Sequence, residues 1–196
     1  MKKGLVVTLA VIGFLLIIIM WGVSIFNKMV SLEEGTSGQW ANVESSYQRR
    51  ADLIPNLVNT VKGYAEHEQE TFQAVVEARA KATQTVVDPS NISPEELAEY
   101  QAAQNGVSSA LSRLLAVVEN YPDLKANQNF LELQSQLEGT ENRINVERNR
   151  FNEVVKSYNT YIKKFPGRFF AGLFGFDSKG YFQAAEGTDE APKVEF

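Results

Sequence analysis

The sequence contains no cysteine and only one histidine among its 196 residues. Without cysteine the chain cannot form a disulfide, and it has no thiolate to bind zinc or an iron–sulfur cluster or to act as a nucleophile. The single histidine, His67, leaves little from which to build a metal site or a Ser–His–Asp triad. We therefore expect no catalytic residues, no cofactor and no metal, and hence no enzymatic activity.

Positive charge is also scarce. Lys and Arg together number 19 against 24 Asp and Glu, which gives a formal net charge of -5. Because an acidic chain repels phosphate groups, we expect no nucleic-acid partner. The hydrophobic content of 44% is that of a folded protein, and the length suits one domain with or without an anchor.

A long apolar run lies near the beginning of the sequence. Residues 5–26 contain no charged side chain, and a helix of this length is about 33 Å long. It is long enough to cross the hydrocarbon core of a bilayer, and longer than the apolar region of a cleaved signal peptide. We expect residues 5–26 to be a transmembrane anchor, preceded by a short N-terminal segment, 1–4, and followed by a juxtamembrane segment, 27–39.

The charges that flank this run predict its orientation. Lys2 and Lys3 precede it, whereas Lys28 follows it with Glu33 and Glu34 close behind. Since positive charge is retained in the cytoplasm, we expect a cytoplasmic N-terminus and an extracytoplasmic C-terminal domain.

From Trp40 onward, apolar residues recur at alternating steps of three and four, the spacing of coiled coils and of helices that pack on other helices. The first such pattern extends to about Val87. Pro55 lies inside it, and an interior proline either bends a helix or ends it, so one bent helix and two shorter helices both remain open. The residues from Ser93 to Glu96 then have the composition of a helix start, and that helix should end before Pro122.

A third pattern, from about Asp123 to Pro166, is the strongest. Strand-like alternation is absent from the sequence, and short loops between long helices favour neighbours that run antiparallel. The sequence thus predicts an all-α fold, in which a transmembrane helix precedes an antiparallel up-and-down bundle of three to four long helices at residues 40–166. The apolar positions of the third pattern are Phe130, Leu133, Leu137, Ile144, Phe151, Val155, Tyr158, Ile162 and Phe165.

Two charged residues fall on the apolar repeats. Arg50 lies on the repeat of the first helix, and Glu147 lies on that of the third. A charge at a core position is costly unless it is paired, and its best-attested use is to fix the register of packed helices. We expect Arg50 either to pair with an inward-facing acid such as Glu147 or Glu68, or to extend its charged end to solvent.

A row of asparagines runs along the third helix, on the side opposite its apolar positions. Asparagine is a mediocre helix former, so helix propensity does not explain the row. It is either a solvated surface or a polar contact with a second copy or another protein. Its members are Asn142, Asn145, Asn149, Asn152 and Asn159.

Residues 167–196 combine phenylalanines and glycines with an acidic tail. One interpretation is that the aromatic rings close the end of the bundle. The other is that part of this segment contacts a membrane or a partner, through Arg168, Phe169, Phe170, Phe174 and Phe176.

Two acidic groupings resemble reactive sites. Glu66 and Glu68 flank His67, but consecutive residues on a helix point about 100° apart and do not converge on one ion. An enzyme would need a carboxylate pair such as Glu119 and Asp123 in a cleft, although Asp123 is equally suited to cap a helix.

Several stretches of the sequence closely resemble the LemA family, and they occur in the order found in that family. The resemblance implies a bacterial protein with one N-terminal transmembrane helix and a soluble up-and-down bundle of four helices, whose biochemical role is poorly defined. The matching stretches are 49–58 (RRADLIPNLV), 61–68 (VKGYAEHE), 115–127 (LAVVENYPDLKAN), 130–134 (FLELQ), 138–144 (EGTENRI) and 191–196 (APKVEF).

Taken together, these features predict a single-pass helical scaffold or adaptor of the bacterial cell envelope. Residues 5–26 would hold it in the lipid bilayer of the inner membrane, and it would act by binding to itself or to another envelope protein. The alternative is a homo-oligomer that shapes or remodels the membrane, for which the segment rich in phenylalanine is the relevant feature.

Overall fold

A computed structural model describes residues 2–183, which form six helices joined by turns and by extended segments. No strand occurs in this part of the chain, so the predicted all-α class is confirmed. The acidic tail expected at the end of the sequence lies outside the described residues. The helices are α1 (Lys2–Lys62), α2 (Gln69–Gln84), α3 (Pro94–Val118), α4 (Pro122–Lys125), α5 (Gln128–Lys163) and α6 (Gly167–Phe174).

The first helix, α1, is continuous over 61 residues. The expected boundaries at residues 26 and 39 are therefore not breaks in the backbone, and the juxtamembrane segment 27–39 is part of the same helix. From residue 3 onward, the first buried side chain is that of Ile25. The helix is long and apolar enough to cross a membrane.

Pro55 lies inside α1 without ending it. Proline has no N–H, so the carbonyl four residues earlier, that of Ala51, loses its helical hydrogen bond. Arg79 of α2 replaces this bond, since its Nε donates to the Ala51 carbonyl oxygen at 2.8 Å. A side chain from a neighbouring helix thus satisfies the acceptor that Pro55 leaves open.

The chain turns back well before Val87, where the first apolar pattern ends in the sequence. Residues 63–68 form a turn, and α2 then packs on α1. Tyr64, which follows Val61 by three residues and so continues the first apolar pattern, lies in this turn and is exposed. Apolar spacing does not reveal the turn, because Val61 and Phe72 reach the same core from two different helices.

The predicted start of α3 is confirmed. Ser93 Oγ accepts a hydrogen bond from the Glu96 amide at 3.2 Å, and Glu96 Oε2 accepts one from the Ser93 amide at 3.3 Å. The next long helix, α5, begins later than the expected position near Asp123. The single turn of α4 comes first, and Asn127 then caps α5 by accepting a backbone hydrogen bond at 3.1 Å.

The helices α1 and α5 pack along each other in opposite directions. Gln39 contacts Glu147, and Arg50 contacts Glu141, so higher residue numbers in α1 meet lower ones in α5. The helices α2 and α3 pack on one another. Buried side chains form three clusters along α1, which we name by their α1 members: proximal (Ile25, Met29), middle (Trp40, Val43, Tyr47) and distal (Ile54, Leu57, Val58, Val61).

After α5 the chain forms α6 and then a segment without regular secondary structure, residues 175–183, which we call the C-terminal segment. Phe165, expected on the apolar face of the third helix, is exposed because α5 ends at Lys163. Gly175 ends α6 with a φ of 78°, a conformation that glycine adopts at little cost. Gly180 then passes so close to α3 that a Cβ atom on it would lie 2.8 Å from the Pro94 Cα atom.

The hydrogen bond from Arg79 to Ala51 predicts an energetic coupling between Arg79 and Pro55. In the full-length protein, Arg79→Met leaves a half-buried carbonyl without its partner and should lower the free energy of unfolding by about 1–2 kcal/mol. In a Pro55→Ala background the alanine N–H bonds to that carbonyl, so the same change should cost about 1 kcal/mol less.

Denaturant titration in detergent micelles, followed by circular dichroism, measures both free energies. The control is Arg113→Met on α3, whose side chain is exposed and whose cost should not depend on residue 55. If Arg79→Met cost the same in both backgrounds, the coupling would be wrong.

Candidate functional site

Arg50 is buried, with 2% of its surface exposed, between the middle and distal clusters. Its Nη1 donates to Ser108 Oγ and to Glu141 Oε1, each at 2.8 Å. Its Nη2 donates to the carbonyl oxygen of Gln104 at 3.1 Å and to its Oε1 at 2.6 Å. The ring of Tyr47 packs against the guanidinium, and the ring centroid lies 5.0 Å from the Arg50 Cζ atom. Since the acceptors belong to α3 and α5, Arg50 links both helices to α1.

The partner of Arg50 is Glu141, and the predicted pairing with Glu147 or Glu68 is wrong. Glu147 lies nearer the apolar N-terminal part of α1, where Gln39 Nε2 donates to its Oε2 at 2.8 Å. The spacing of apolar residues identifies the buried face of a helix but not how far it is shifted along its neighbour. Glu68 lies in the turn after α1 and accepts a hydrogen bond from Tyr121 Oη at 3.1 Å.

Glu147 nevertheless occupies a buried position, with 3% of its surface exposed. Arg150 Nη1 lies 3.1 Å and Arg143 Nη2 lies 3.8 Å from its Oε1. The hydrogen bond from Gln39, helped by these two guanidinium groups, holds the pKa of the Glu147 carboxyl below its usual value although burial opposes this. The carboxylate therefore remains ionised at neutral pH.

The cavity that directly adjoins Arg50 is small. It has a volume of about 70 Å³, is lined in part by Tyr47, Arg79 and Tyr100, and has room for only a few waters. Burial raises the pKa of both tyrosines above the usual value, so their hydroxyls remain protonated at neutral pH. The arrangement is suited to fixing the positions of three helices.

The acidic groupings of the sequence do not assemble into a reactive site. Glu66 and His67 are exposed in the turn after α1, so they do not lie on a helix as expected. Glu119 pairs with Lys125 at the surface. Within residues 2–183, no three His, Asp or Glu side chains are placed to hold a metal ion. That the protein is not an enzyme stays a prediction.

The row of asparagines is divided in two. Asn142, Asn145 and Asn149 are exposed, as expected for a row that faces away from the core. Asn152 is half-buried and Asn159 is buried, because the C-terminal segment covers them. The expectation that the whole row faces outward is therefore wrong for these two residues.

Asn152 and Asn159 hold the backbone of the C-terminal segment. Asn159 Nδ2 donates to the Lys179 carbonyl oxygen at 2.9 Å, and its Oδ1 accepts from the Lys179 amide at 3.0 Å. Asn152 bonds the carbonyl and amide of Phe182 in the same way, each at 2.9 Å. A carboxamide offers one donor and one acceptor side by side, as a neighbouring strand would.

A third carboxamide, from α3, repeats this contact. Gln101 Nε2 donates to the Gln183 carbonyl oxygen at 2.9 Å, and its Oε1 accepts from the Gln183 amide at 3.1 Å. Arg148 Nη2 donates to the same carbonyl at 2.8 Å. We call Gln101, Asn152 and Asn159 the carboxamide clasp.

Two side chains of the C-terminal segment are also buried. Lys179 Nζ donates to the Ser90 carbonyl oxygen at 2.7 Å and lies 3.4 Å from Glu33 Oε1. Phe182 stacks on Trp40 in the middle cluster, with ring centroids 6.0 Å apart. The segment thus joins α5 to α1 and to the loop before α3.

The helix α6 lies against α1 where the apolar run ends. Phe170 and Phe176 are half-buried against α1, whereas Arg168, Phe169 and Phe174 are exposed. The five residues singled out in the sequence therefore do not share one environment. The two half-buried rings pack the end of the helical domain, and the three exposed side chains, of which Phe174 also contacts Phe26 of α1, remain a candidate contact surface.

These features define a class of protein: an all-helical domain built on a helix whose N-terminal part is long and apolar enough to cross a membrane. The model of the LemA family matches residues 39–196. The chain belongs to the LemA family, as the sequence stretches indicated.

The chain is similar to several magnetosome and LemA proteins, with about a quarter of the aligned residues identical. Magnetosome protein MamQ 2 of Paramagnetospirillum magneticum is 27% identical over 198 residues, covering 92% of this chain and 71% of the relative. Magnetosome protein MamQ of Magnetospirillum gryphiswaldense is 26% identical over 181 residues, 84% of this chain and 66% of the relative. Protein LemA of Metamycoplasma hominis is 26% identical over 144 residues, which cover 74% of this chain and 62% of the relative.

The contacts of Arg50 predict which acid is coupled to it. Arg50→Met should lower the free energy of unfolding by about 3 kcal/mol, because it removes one member of a buried pair. Glu141→Gln should cost about 1 kcal/mol, since Glu141 is partly solvated and the guanidinium keeps its other acceptors.

A double-mutant cycle on the full-length protein in detergent separates Glu141 from Glu147. We expect a coupling energy of about 1 kcal/mol between Arg50→Met and Glu141→Gln, and one near zero between Arg50→Met and Glu147→Gln. A larger coupling with Glu147 would contradict the observed pairing.

The carboxamide clasp predicts where the C-terminal segment is protected from hydrogen exchange. Asn159→Ala removes both hydrogen bonds to the backbone of Lys179, so the Lys179 amide should exchange at least tenfold faster. A tenfold increase corresponds to about 1.4 kcal/mol, on the order of what one such bond contributes to holding the segment against the domain. Asn149→Ala is the matched control, because Asn149 is exposed on the same helix. Exchange measured by mass spectrometry on peptides covering 175–183 tests this, and equal rates in the two variants would disprove it.

Proposed function

We propose that this protein is a single-pass, membrane-anchored helical scaffold or adaptor of the bacterial cell envelope, which acts by binding proteins and not by catalysis. The continuity of α1 is the observation that carries this proposal. The same helix is exposed and apolar over most of residues 5–26 and supplies buried core residues from Trp40 to Val61. Because the helix is not interrupted between these parts, the anchor sets the direction in which the domain presents its surface.

We infer that α1, α2, α3 and α5 form an antiparallel up-and-down bundle. The α1 residues Trp40 and Arg50 meet Tyr100 and Gln104 of α3 in the same order, which supports a parallel course for these two helices. The turn at 63–68 returns α2 along α1, and α5 runs opposite to α1. Successive long helices then alternate in direction, as in bundles with short connections.

The surface offered to a partner is the outer side of α5. Asn142, Asn145 and Asn149 are exposed there and present both donors and acceptors. Asn142 also borders a groove of about 460 Å³ between α3 and α5. We propose that this surface binds a second copy of the chain or another envelope protein.

The anchor is proposed to lie in the inner membrane with the N-terminus in the cytoplasm and the helical domain outside. This orientation is supported by Lys2 and Lys3 before the apolar run and by Glu33 and Glu34 after it. A homo-oligomer that shapes the membrane is the second candidate, favoured by the exposed aromatic side chains of α6 beside the end of the anchor.

The mass of the full-length protein, extracted from its own membrane into nanodiscs, tests the proposal. We expect complexes larger than a monomer, containing further copies or a partner in fixed proportion. Asn149→Arg should reduce these complexes because it places a bulky charge in the proposed surface. Asn129→Arg, at an exposed position nearer the start of α5, should leave them intact.

Two results would contradict the proposal, the first its scaffold role and the second its binding surface. One is a monomer without any protein in fixed proportion. The other is an assembly that Asn149→Arg leaves unchanged while its helix content is preserved, which would exclude the outer side of α5 as the binding surface.

A further inference from the structure

The stretch from Tyr161 to Phe176 has a charge opposite to that of the chain as a whole. It contains Lys163, Lys164 and Arg168 and no acidic residue, although the chain has a net charge of -5. This basic stretch includes α6 and therefore lies beside the end of the apolar run.

The same stretch exposes several large apolar side chains. Its helix α6 buries Gly167 and Ala171 on the side that packs on the proximal cluster. So many exposed apolar groups in so short a stretch indicate a surface that contacts something other than water. Their exposed fractions are 86% for Phe165, 67% for Phe169, 64% for Leu173 and 49% for Phe174.

Ring contacts fix the position of α6 along α1. Phe170 packs edge-on against Trp21 with ring centroids 6.1 Å apart, and Phe174 packs against Phe26 at 5.0 Å. From Trp21 to Phe26 the rise along the helix is about 7.5 Å. The helix α6 is thus level with the last turn of the apolar run, where that run gives way to polar sequence.

We propose that α6, together with Phe165, is a second membrane contact. It lies in the interface of the leaflet from which α1 emerges, with Phe165, Phe169, Leu173 and Phe174 among the acyl chains. The basic side chains Lys163, Lys164 and Arg168 then lie level with the lipid phosphates. This inference rests on the proposed anchoring by residues 5–26.

Three arguments favour lipid over protein as the partner that covers the exposed side of α6. The exposed rings continue the exposed apolar surface of α1, so one apolar environment covers both. Amphipathic interfacial helices are buried by about 5–10 Å, which agrees with the position of α6. The basic residues match anionic headgroups, whereas the acidic remainder of the domain is repelled by them.

The absence of cysteine from the chain makes the test direct. Single-cysteine variants of the full-length protein, Phe169→Cys and Leu173→Cys, are labelled with a polarity-sensitive fluorophore. They are reconstituted into vesicles of phosphatidylethanolamine and phosphatidylglycerol that contain a nitroxide-bearing lipid. Two further labelled variants serve as references: Ile12→Cys within the apolar run, and Leu131→Cys, exposed near the start of α5.

We expect quenching at 169 and 173 to be severalfold stronger than at 131. A nitroxide near the headgroup end of the acyl chain should quench these labels more than a nitroxide near the chain terminus. The label at residue 12 should instead be quenched more by the nitroxide near the chain terminus. Circular dichroism checks that each variant keeps its helix content.

The possible outcomes separate this inference from the proposed anchoring. If the label at 12 were not quenched, the anchor itself would be wrong. If the label at residue 12 were quenched while the label at residue 169 were quenched no more than the one at residue 131, the anchor would stand and α6 would not contact lipid. A label at 169 with blue-shifted emission but no quenching would show that protein covers α6, which also overturns the inference.

Discussion

The buried guanidinium of Arg50 is the group on which the packing of the long helices depends. An unpaired charge in the interior costs several kcal/mol, so the helices around Arg50 must supply acceptors. Gln104 and Ser108 of α3 and Glu141 of α5 do so. Sliding either helix by one turn, about 5.4 Å, would carry these acceptors out of hydrogen-bond reach of the guanidinium. The apolar clusters supply the buried area, and this polar layer specifies the register at which they meet.

Elsewhere in the structure, too, apolar side chains supply the buried area while polar side chains fix the position of the backbone. Arg79 satisfies the carbonyl that Pro55 leaves open, and so a helix with an internal proline remains continuous. The carboxamides of Asn152 and Asn159 hold a segment that has no strand to pair with. In each case a side chain supplies the hydrogen bond that local backbone geometry cannot.

Apolar spacing was sufficient to predict the helical class and to place Arg50 and Glu147 on the apolar repeats of their helices, whereas the capping residues from Ser93 to Glu96 predicted the start of α3. It did not predict Glu141 as the acid, because periodicity identifies the buried face of a helix and is silent about its shift along a neighbour. It also missed the turn after Lys62, since Gly63 interrupts the helix without interrupting the repeat. Apolar spacing also did not predict the carboxamide clasp, because the C-terminal segment has no periodic pattern from which its binding position could be inferred.

The uninterrupted course of α1 has a mechanical consequence. With residues 5–26 in a bilayer, the helix extends about 54 Å from Phe26 to Lys62, and a change in tilt of about 10° displaces its far end by about 9 Å. Tilt responds to the thickness of the surrounding lipid, because a helix longer than the hydrocarbon core leans to fit it. In such a bilayer, a change in thickness would therefore move the far end of the domain sideways.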